Sequence, residues 1–392
     1  MKTLYPSVLL PTNIVEEDWI GVASDINDIL VGNALNLKSN PGFPFNSTYA
    51  TSGQWINDNP HEIIIIATAR IKRLMSNKIT TIDGFEIATE GYGDYVRLFI
   101  KDELHSDKKT LENRPRLIKS PSLIDKVIAI YLYSPFDKQQ IAQWDRIPSK
   151  PGISFDDEGY VKTRAYHDLM RKNGPTFDSD MTNWDYSVSN ALLQDATEFR
   201  IQTTINITDN IKNLFRNFQK VAANMDYVNS DGFIIKREEG VQDSGRQDTS
   251  STNSFIRSYI SFIIAYLNGK LDSHLVMAGG DDCVENYYSN SIEMYKRMGH
   301  AVKEYHMVDE TGGFEFCSHF YPLDKNEKVK FLGAAKTIAN LLLADKEDVD
   351  TPMLLSILNE LRYNPEKILV VEYLKANYPL IYDELTSIGG TM

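Results

Sequence analysis

Two adjacent carboxylates, Asp281 and Asp282, follow Gly279-Gly280 and are the residues of this chain best suited to chemistry. Neighbouring like charges repel, and at the tip of a tight hairpin a bound divalent cation relieves that repulsion. The flanking segments, His274-Leu-Val-Met277 before and Cys283-Val-Glu-Asn286 after, predict such a hairpin, because Gly and Asp tolerate its turn. Taken alone, Gly280-Asp281-Asp282 is equally a solvated turn.

Two other segments carry polar groups at telling intervals. Asp178-Ser-Asp180-Met-Thr-Asn-Trp-Asp185 places one carboxylate at the end of a short strand and another five residues later. One could face a metal and the other a neighbouring ligand, although an Asp-rich helix cap reads the same way. Gly240-Val-Gln-Asp-Ser244-Gly245-Arg-Gln-Asp-Thr249-Ser-Ser-Thr-Asn253 is a flexible loop opening a helix, with Thr249 and Asn253 on one face. A Ser/Thr-rich helix start with local hydrogen bonds is the plainer alternative. A fourth segment, from Arg97 to Lys119, holds seven Lys/Arg against four Asp/Glu.

The elements that must position these groups follow from pattern. We expect helices over 62–75, 123–140, 189–205, 249–267 and 291–298, the last ending at Gly299. Strands are expected over 96–101, 176–180, 233–237 and 314–320, the last entered through a Gly312-Gly313 turn. The first sixty residues read as rich in turns, notably Asn40-Pro-Gly-Phe-Pro-Phe45. From Asn340 onward the pattern is mostly helical, with Pro352 and Pro365 suited to first turns.

In this order, together with Lys101-Asp-Glu-Leu104 and Arg114-Pro-Arg116-Leu-Ile118, the segments resemble the motif series of viral RNA-dependent RNA polymerases. Asp180 and Asp185 match the family's D-x4-D pair, and Ser244, Gly245, Thr249 and Asn253 its SG-x3-T-x3-N motif. Gly280, Asp281 and Asp282 match GDD. Lys303 stands at the lysine of the next motif, and Phe316-Cys317-Ser318 at the primer-grip hairpin. The fingers segments Phe99–His105, Leu117–Asp125 and Ile147–Gly152 most resemble those of sobemovirus and polerovirus polymerases. His105 departs from the arginine of picorna-like relatives and is left out of the phosphate contacts. The resemblance runs from about Asn40 to Gly333.

The resemblance implies an α+β right hand with a small antiparallel palm sheet backed by helices. Fingers with an N-terminal extension would occupy 1–170, and the palm 171–330 with a fingers insertion at about 190–240. A short thumb would fill 331–392. Asp180 and Asp281 would hold two divalent ions from opposite sides, with Asp282 as accessory ligand. Mg2+ is the expected metal, since oxygen-only ligands favour hard cations, and Mn2+ its substitute. Lys101, Lys109 and Arg116 would grip the triphosphate. Asp185, Ser244, Thr249 and Asn253 would read the ribose, and Lys303 would protonate the leaving pyrophosphate unless it merely answers Glu304 at the surface. Template and nascent RNA, nucleoside triphosphates and other viral replication proteins are the partners implied. Host-cell cytoplasm, in a viral replication complex, is the expected location, with virion association as a further one.

Composition sets outer limits. The chain has 392 residues, 42% hydrophobic and 24% charged, and a formal charge of -13, so a nucleic-acid channel requires a local basic lining. Two cysteines cannot build a zinc cluster and point to a reducing compartment. Met1–Asn13 is broken by proline and lacks a secretory cleavage pattern, and apolar runs are far shorter than the roughly 20 residues a spanning helix needs. A soluble intracellular protein is expected. The rival readings are a reverse transcriptase or other palm polymerase, and an inactive polymerase-fold RNA-binding scaffold. Polar groups at the ribose position argue against the first, and intact carboxylates against the second. A metal-dependent phosphatase or calcium-binding domain would explain the acidic pairs but not the SG-x3-T-x3-N helix.

Overall fold

The computed structural model describes residues 2–101, 111–113, 115–238, 240–344 and 349–387. In chain order its strands are β1 (Val96–Ile100), β2 (Leu117–Ser120), β3 (Thr176–Met181), β4 (Tyr227–Val228), β5 (Ile234–Ile235) and β6 (Val276–Gly279). There follow β7 (Asp282–Asn286), β8 (Val302–Met307), β9 (Gly313–Phe316), β10 (His319–Pro322) and β11 (Lys330–Phe331).

The central sheet has the order β6-β7-β3-β8, antiparallel throughout. Alternate residues of its strands face opposite sides. On one side Phe177 of β3 joins Phe255, Ile256 and Ile260 of the helix Thr249–Leu267 in a buried cluster. On the other, Met277 and Val284 pack with Tyr160, Phe314 and Tyr321. Phe314 and Tyr321 belong to the β9–β10 hairpin of a second sheet, ordered β11-β10-β9.

A larger apolar cluster lies under the third sheet, β2-β1-β4-β5. The helices Trp19–Val31, Pro60–Ser76, Leu123–Ala142 and Asp209–Asn224 contribute Ile26, Ile71, Ile128 and Phe215 to it, all fully buried. Asp18 caps the first of these by accepting from the Ile20 and Gly21 amides. The C-terminal helices Ala334–Leu343, Thr351–Glu360, Lys367–Asn377 and Pro379–Ser387 enclose a separate cluster around Leu354, Leu361 and Leu374.

The N-terminal segment is threaded into the body. Val8 bridges Thr204 in parallel, its amide on the Thr203 carbonyl at 2.9 Å. Tyr5 packs edge-on against Phe199 and Phe255, and its hydroxyl reaches Ser149 and Ser258. Ser149 in turn pairs with Ala278 of β6, so the 148–150 segment flanks the central sheet.

Candidate active site

The β6–β7 turn forms as expected. Gly279 pairs with Asp282, which leaves Gly280 and Asp281 as the two turn residues. Gly280 has φ +71°, a conformation that favours glycine. Its amide donates to Ser254 Oγ at 2.8 Å, so the helix Thr249–Leu267 fixes the turn from beneath. On β3, Ser179 pairs with Cys283, and Asp180 follows at the same mouth of the sheet.

Charge is crowded here. Burial, with Asp281 and Asp180 adding to it, pushes the Asp282 carboxyl up to about 7, while the Cys317 main-chain amide pulls the other way. Burial, with Asp180 and Asp185 adding, raises Asp281 as well. Lys303 lies on β8 and donates to Asp180 Oδ2 at 2.6 Å, a bond that raises the lysine's own pKa. Among the described residues no three acidic, His or Cys groups close into a ready metal cage, because Asp180 is turned to Lys303. The donor chemistry nonetheless fits a hard cation: three oxygen ligands from two adjacent strands and their turn, more negative than their partners can neutralise.

The second group assembles beside the first. Asn253 Nδ2 donates to Asp185 Oδ1 at 3.2 Å, while Asn253 Oδ1 is buried with no partner. Burial raises the Asp185 carboxyl, against the charges of Lys119 and Arg116 and the Asn253 bond. Thr249 uses its hydroxyl to close the loop, donating to the Asp243 carbonyl at 2.6 Å. Ser244 Oγ accepts from the Lys119 amide at 3.5 Å, and the Gly245 amide donates to the Lys119 carbonyl at 3.0 Å. A Cβ on Gly245 would lie 2.4 Å from that carbonyl oxygen, so only glycine lets this loop meet β2.

Of the basic triad, Lys101 and Arg116 sit at the open end of the β1–β2 ladder, joined by a 2.8 Å bond from the Lys101 amide to the Arg116 carbonyl. Lys109 lies outside the described residues. The segment expected as one strand over 314–320 is instead two, β9 and β10, turned at Cys317-Ser318, whose φ values are +50° and +60°. That turn is the hairpin expected at Phe316-Cys317-Ser318. It lines, with Asp180, Asp282 and Lys303, a cleft of about 290 Å3. The strand expected over 233–237 shrinks to Ile234–Ile235.

The family described as viral RNA-directed RNA-polymerase matches residues 2–168 and 176–322 of this chain. The chain belongs to that family. The match takes in the first forty residues, where no motif is legible by eye. Protein P2-P3 of Poinsettia latent virus is 32% identical over 320 residues, covering 77% of the chain and 28% of that protein. Replicase polyprotein P2AB of Southern bean mosaic virus is 31% identical over 301 residues, covering 74% and 30%. The chain thus spans about a third of the length of these relatives. A sicinivirus 3Dpol RNA-dependent RNA polymerase superposes with a TM-score of 0.55 at 15% identity, covering 83% of the chain and 61% of that structure. The fold is therefore the α+β right hand of the viral polymerases.

Pattern reading missed two features of this family member. Arg257, fully buried on the helix Thr249–Leu267, donates to Ser179 Oγ at 2.6 Å and Glu285 Oε1 at 3.2 Å, and also to the Tyr295 hydroxyl. It thereby ties four chain segments together beneath the carboxylates. An arginine among Phe255, Ile256 and Ile260 was the available signal. The other is a charged cluster of Lys119, Arg237, Gln242 and Asp243 behind Asp185, in which Arg237 and Asp243 pair at 2.8 Å. Lys119 belongs to the basic run, and Gln242 and Asp243 to the loop before Ser244; their spacing carries no signal that Arg237 joins them.

Proposed function

We propose that the chain is the catalytic core of an RNA-dependent RNA polymerase, copying an RNA template by nucleotidyl transfer for viral genome replication and transcription. One observation carries this reading: Asp281 and Asp282 at a hairpin tip beside Asp180, with Asn253 and Asp185 joined next to them. Family membership implies dependence on a divalent cation. Asp180 and Asp281 would hold Mg2+, with Asp282 as accessory ligand and Mn2+ as substitute. Two such ions would activate the 3′-hydroxyl and neutralise charge on the attacked phosphate and the leaving pyrophosphate.

The chain's own groups supply the rest. Lys101, Lys109 and Arg116 would receive the triphosphate from the fingers side. The unpartnered Asn253 Oδ1 and the Asp185 carboxylate would accept from ribose hydroxyls, which a deoxynucleotide lacks in part. Phe316-Cys317-Ser318 would support the primer strand across the cleft. The chain would divide into fingers (1–170, with about 190–240 inserted), palm (171–330) and thumb (331–392); the separate C-terminal apolar cluster supports the thumb, while Tyr5, Ile147 and Tyr160 pack into the palm clusters. Template and product RNA and other replication proteins would be partners, in a cytoplasmic replication complex; among the described residues no helix is long and apolar enough to cross a membrane.

Incorporation of labelled UMP on a defined RNA template tests the reading. The parent should extend with Mg2+ and prefer UTP to its deoxy analogue, and Asp281→Asn should not extend. A folded parent inactive with both Mg2+ and Mn2+ would refute it.

A further inference from the structure

Lys119 is 2% exposed, yet it is a lysine on a fingers strand. Its ammonium lies 3.8 Å over the Tyr186 ring and 3.5 Å from the Gln242 carbonyl oxygen, its one hydrogen-bond acceptor among the described residues. Burial of so many donors with so few acceptors is costly unless anionic groups stand by. Two do, Asp243 first and Asp185 second, and both oppose the burial that lowers the lysine's pKa. Asp243 is already paired with Arg237 at 2.8 Å, both side chains 1% exposed. Among the described residues Asp185 has no arginine or lysine hydrogen-bonded to it, so of these two carboxylates it is the one whose charge is not already taken by Arg237, although Arg116 acts on it too.

The main chain makes the link mechanical as well. The Gln242 peptide accepts from the Lys119 ammonium, and its amide donates to the Asp185 carbonyl at 2.9 Å. Gln242 is fully buried with Oε1 unpartnered, as is Asn253 Oδ1. Two buried acceptors, one on Gln242 and one on Asn253, thus have no partner among the described residues, and both residues bond Asp185, Gln242 through its amide and Asn253 through Nδ2.

Resting on the proposed polymerase reading, we infer that Lys119 is a positioning residue for sugar selection. Its buried ammonium fixes the Gln242 peptide and the Asp185 carboxylate as the acceptor edge of the ribose pocket. Because Lys119 also receives Gly245 at its carbonyl, the strand that follows Arg116 and the loop opening the Thr249–Leu267 helix set that edge together.

The test compares catalytic efficiencies for UTP and its 2′-deoxy analogue, with thermal unfolding measured in parallel. Lys119→Met keeps the aliphatic stem and should reduce the ratio about tenfold, chiefly through a raised KM for UTP. Added to Asp185→Asn, it should reduce the ratio no further, since the two act through one another. Should the Met variant fail to fold, Lys119→Gln, which removes the charge but keeps a donor toward the Gln242 carbonyl, should still lower the ratio, by less than Asp185→Asn does, and an unchanged ratio overturns the inference. A Lys119 that only stabilises the fold would depress both efficiencies and leave the ratio alone. That result, or additive effects with Asp185→Asn, overturns the inference, provided that Asn253→Ala lowers the ratio in the same assay. A parent without ribose preference overturns the polymerase reading first and this inference with it.

Discussion

The central sheet carries charge on both of its faces, and the two faces treat it in opposite ways. Toward the cleft, Asp180, Asp281 and Asp282 crowd together, and among the described residues Lys303 is the only basic group bonded to any of them. On the far side, one residue away on β3, Ser179 meets Arg257, whose charge Glu285 answers while Tyr295 and Ser261 bond that carboxylate. Charges of the buried network are matched with counter-charge and hydrogen bonds; those of the cleft are left in excess. Unbalanced charge marks the place where something from outside must bind, and balanced charge marks the scaffold that holds it. The contrast also predicts opposite costs for removing a charge.

The largest effect should come from the cleft. Asp180→Ala and Asp281→Asn should each lower nucleotide incorporation by about 10³-fold or more, with Asp282→Asn less severe, as expected for groups that act only on the chemical step. Folded stability should stay level or rise, because repulsion is removed. A filter-binding assay should show RNA affinity retained. Near-parental activity in folded Asp180→Ala would end the metal assignment.

On the opposite face the cost should fall on stability. Arg257→Met strands Glu285 as a buried unpaired charge and should cost about 3–5 kcal/mol in urea unfolding. The double variant Arg257→Met/Glu285→Leu should be less destabilised than the single one. If the single change costs less than about 1 kcal/mol, the two faces do not differ as described.

Lys303 stands between the regimes. Its pair with Asp180 is more than a third exposed on both sides, so it adds little to stability. Lys303→Leu should leave the unfolding midpoint unchanged and slow single-turnover incorporation by about 10²-fold. A parental rate would return Lys303 to the surface.

The smallest effect belongs to histidines of the scaffold. Burial pushes His167 and His274 down to about 4, each neutral and hydrogen-bonded, to Thr176 and Ser261 respectively. Unfolded, they titrate near 6.5, so the unfolded chain binds more protons between these values and stability falls as pH drops from about 6.5 toward 4. His167→Gln should flatten the slope of urea midpoint against pH in that window. An unchanged slope would assign the acid sensitivity elsewhere.

Where local chemistry decides a structure, the residues announced it. The helix Thr249–Leu267 has the expected ends, and Gly280 turns the hairpin because it tolerates φ +71°. The turn at Cys317-Ser318 had no such signal: neither residue favours positive φ, and packing against Gly279 holds it there. Helix Trp19–Val31 is legible in principle, from the Asp18 cap and from Val22, Ile26 and Leu30 at four-residue intervals, but the Gly, Asn and Ser residues that follow it read as turns. Matches to D-x4-D and SG-x3-T-x3-N located Asp185 and Asn253. They could not show that Thr249 spends its hydroxyl on the Asp243 carbonyl, which the loop's own path decides, or that Lys119 stands behind them, which depends on a contact made across more than a hundred residues.

The docking of Tyr5 and Val8 has a consequence for how the chain is made. Val8 takes its partners from Thr203 and Ile205, and the Tyr5 hydroxyl reaches Ser258. At roughly 5–20 residues per second, a ribosome needs on the order of ten to fifty seconds to deliver Ser258 after Tyr5 has been added. For all that time this segment has no seat, and the floor beneath the Asp281–Asp282 turn lacks its wedge. Tyr5 and Val8 therefore settle only after partners some two hundred and more positions later in the chain have been made.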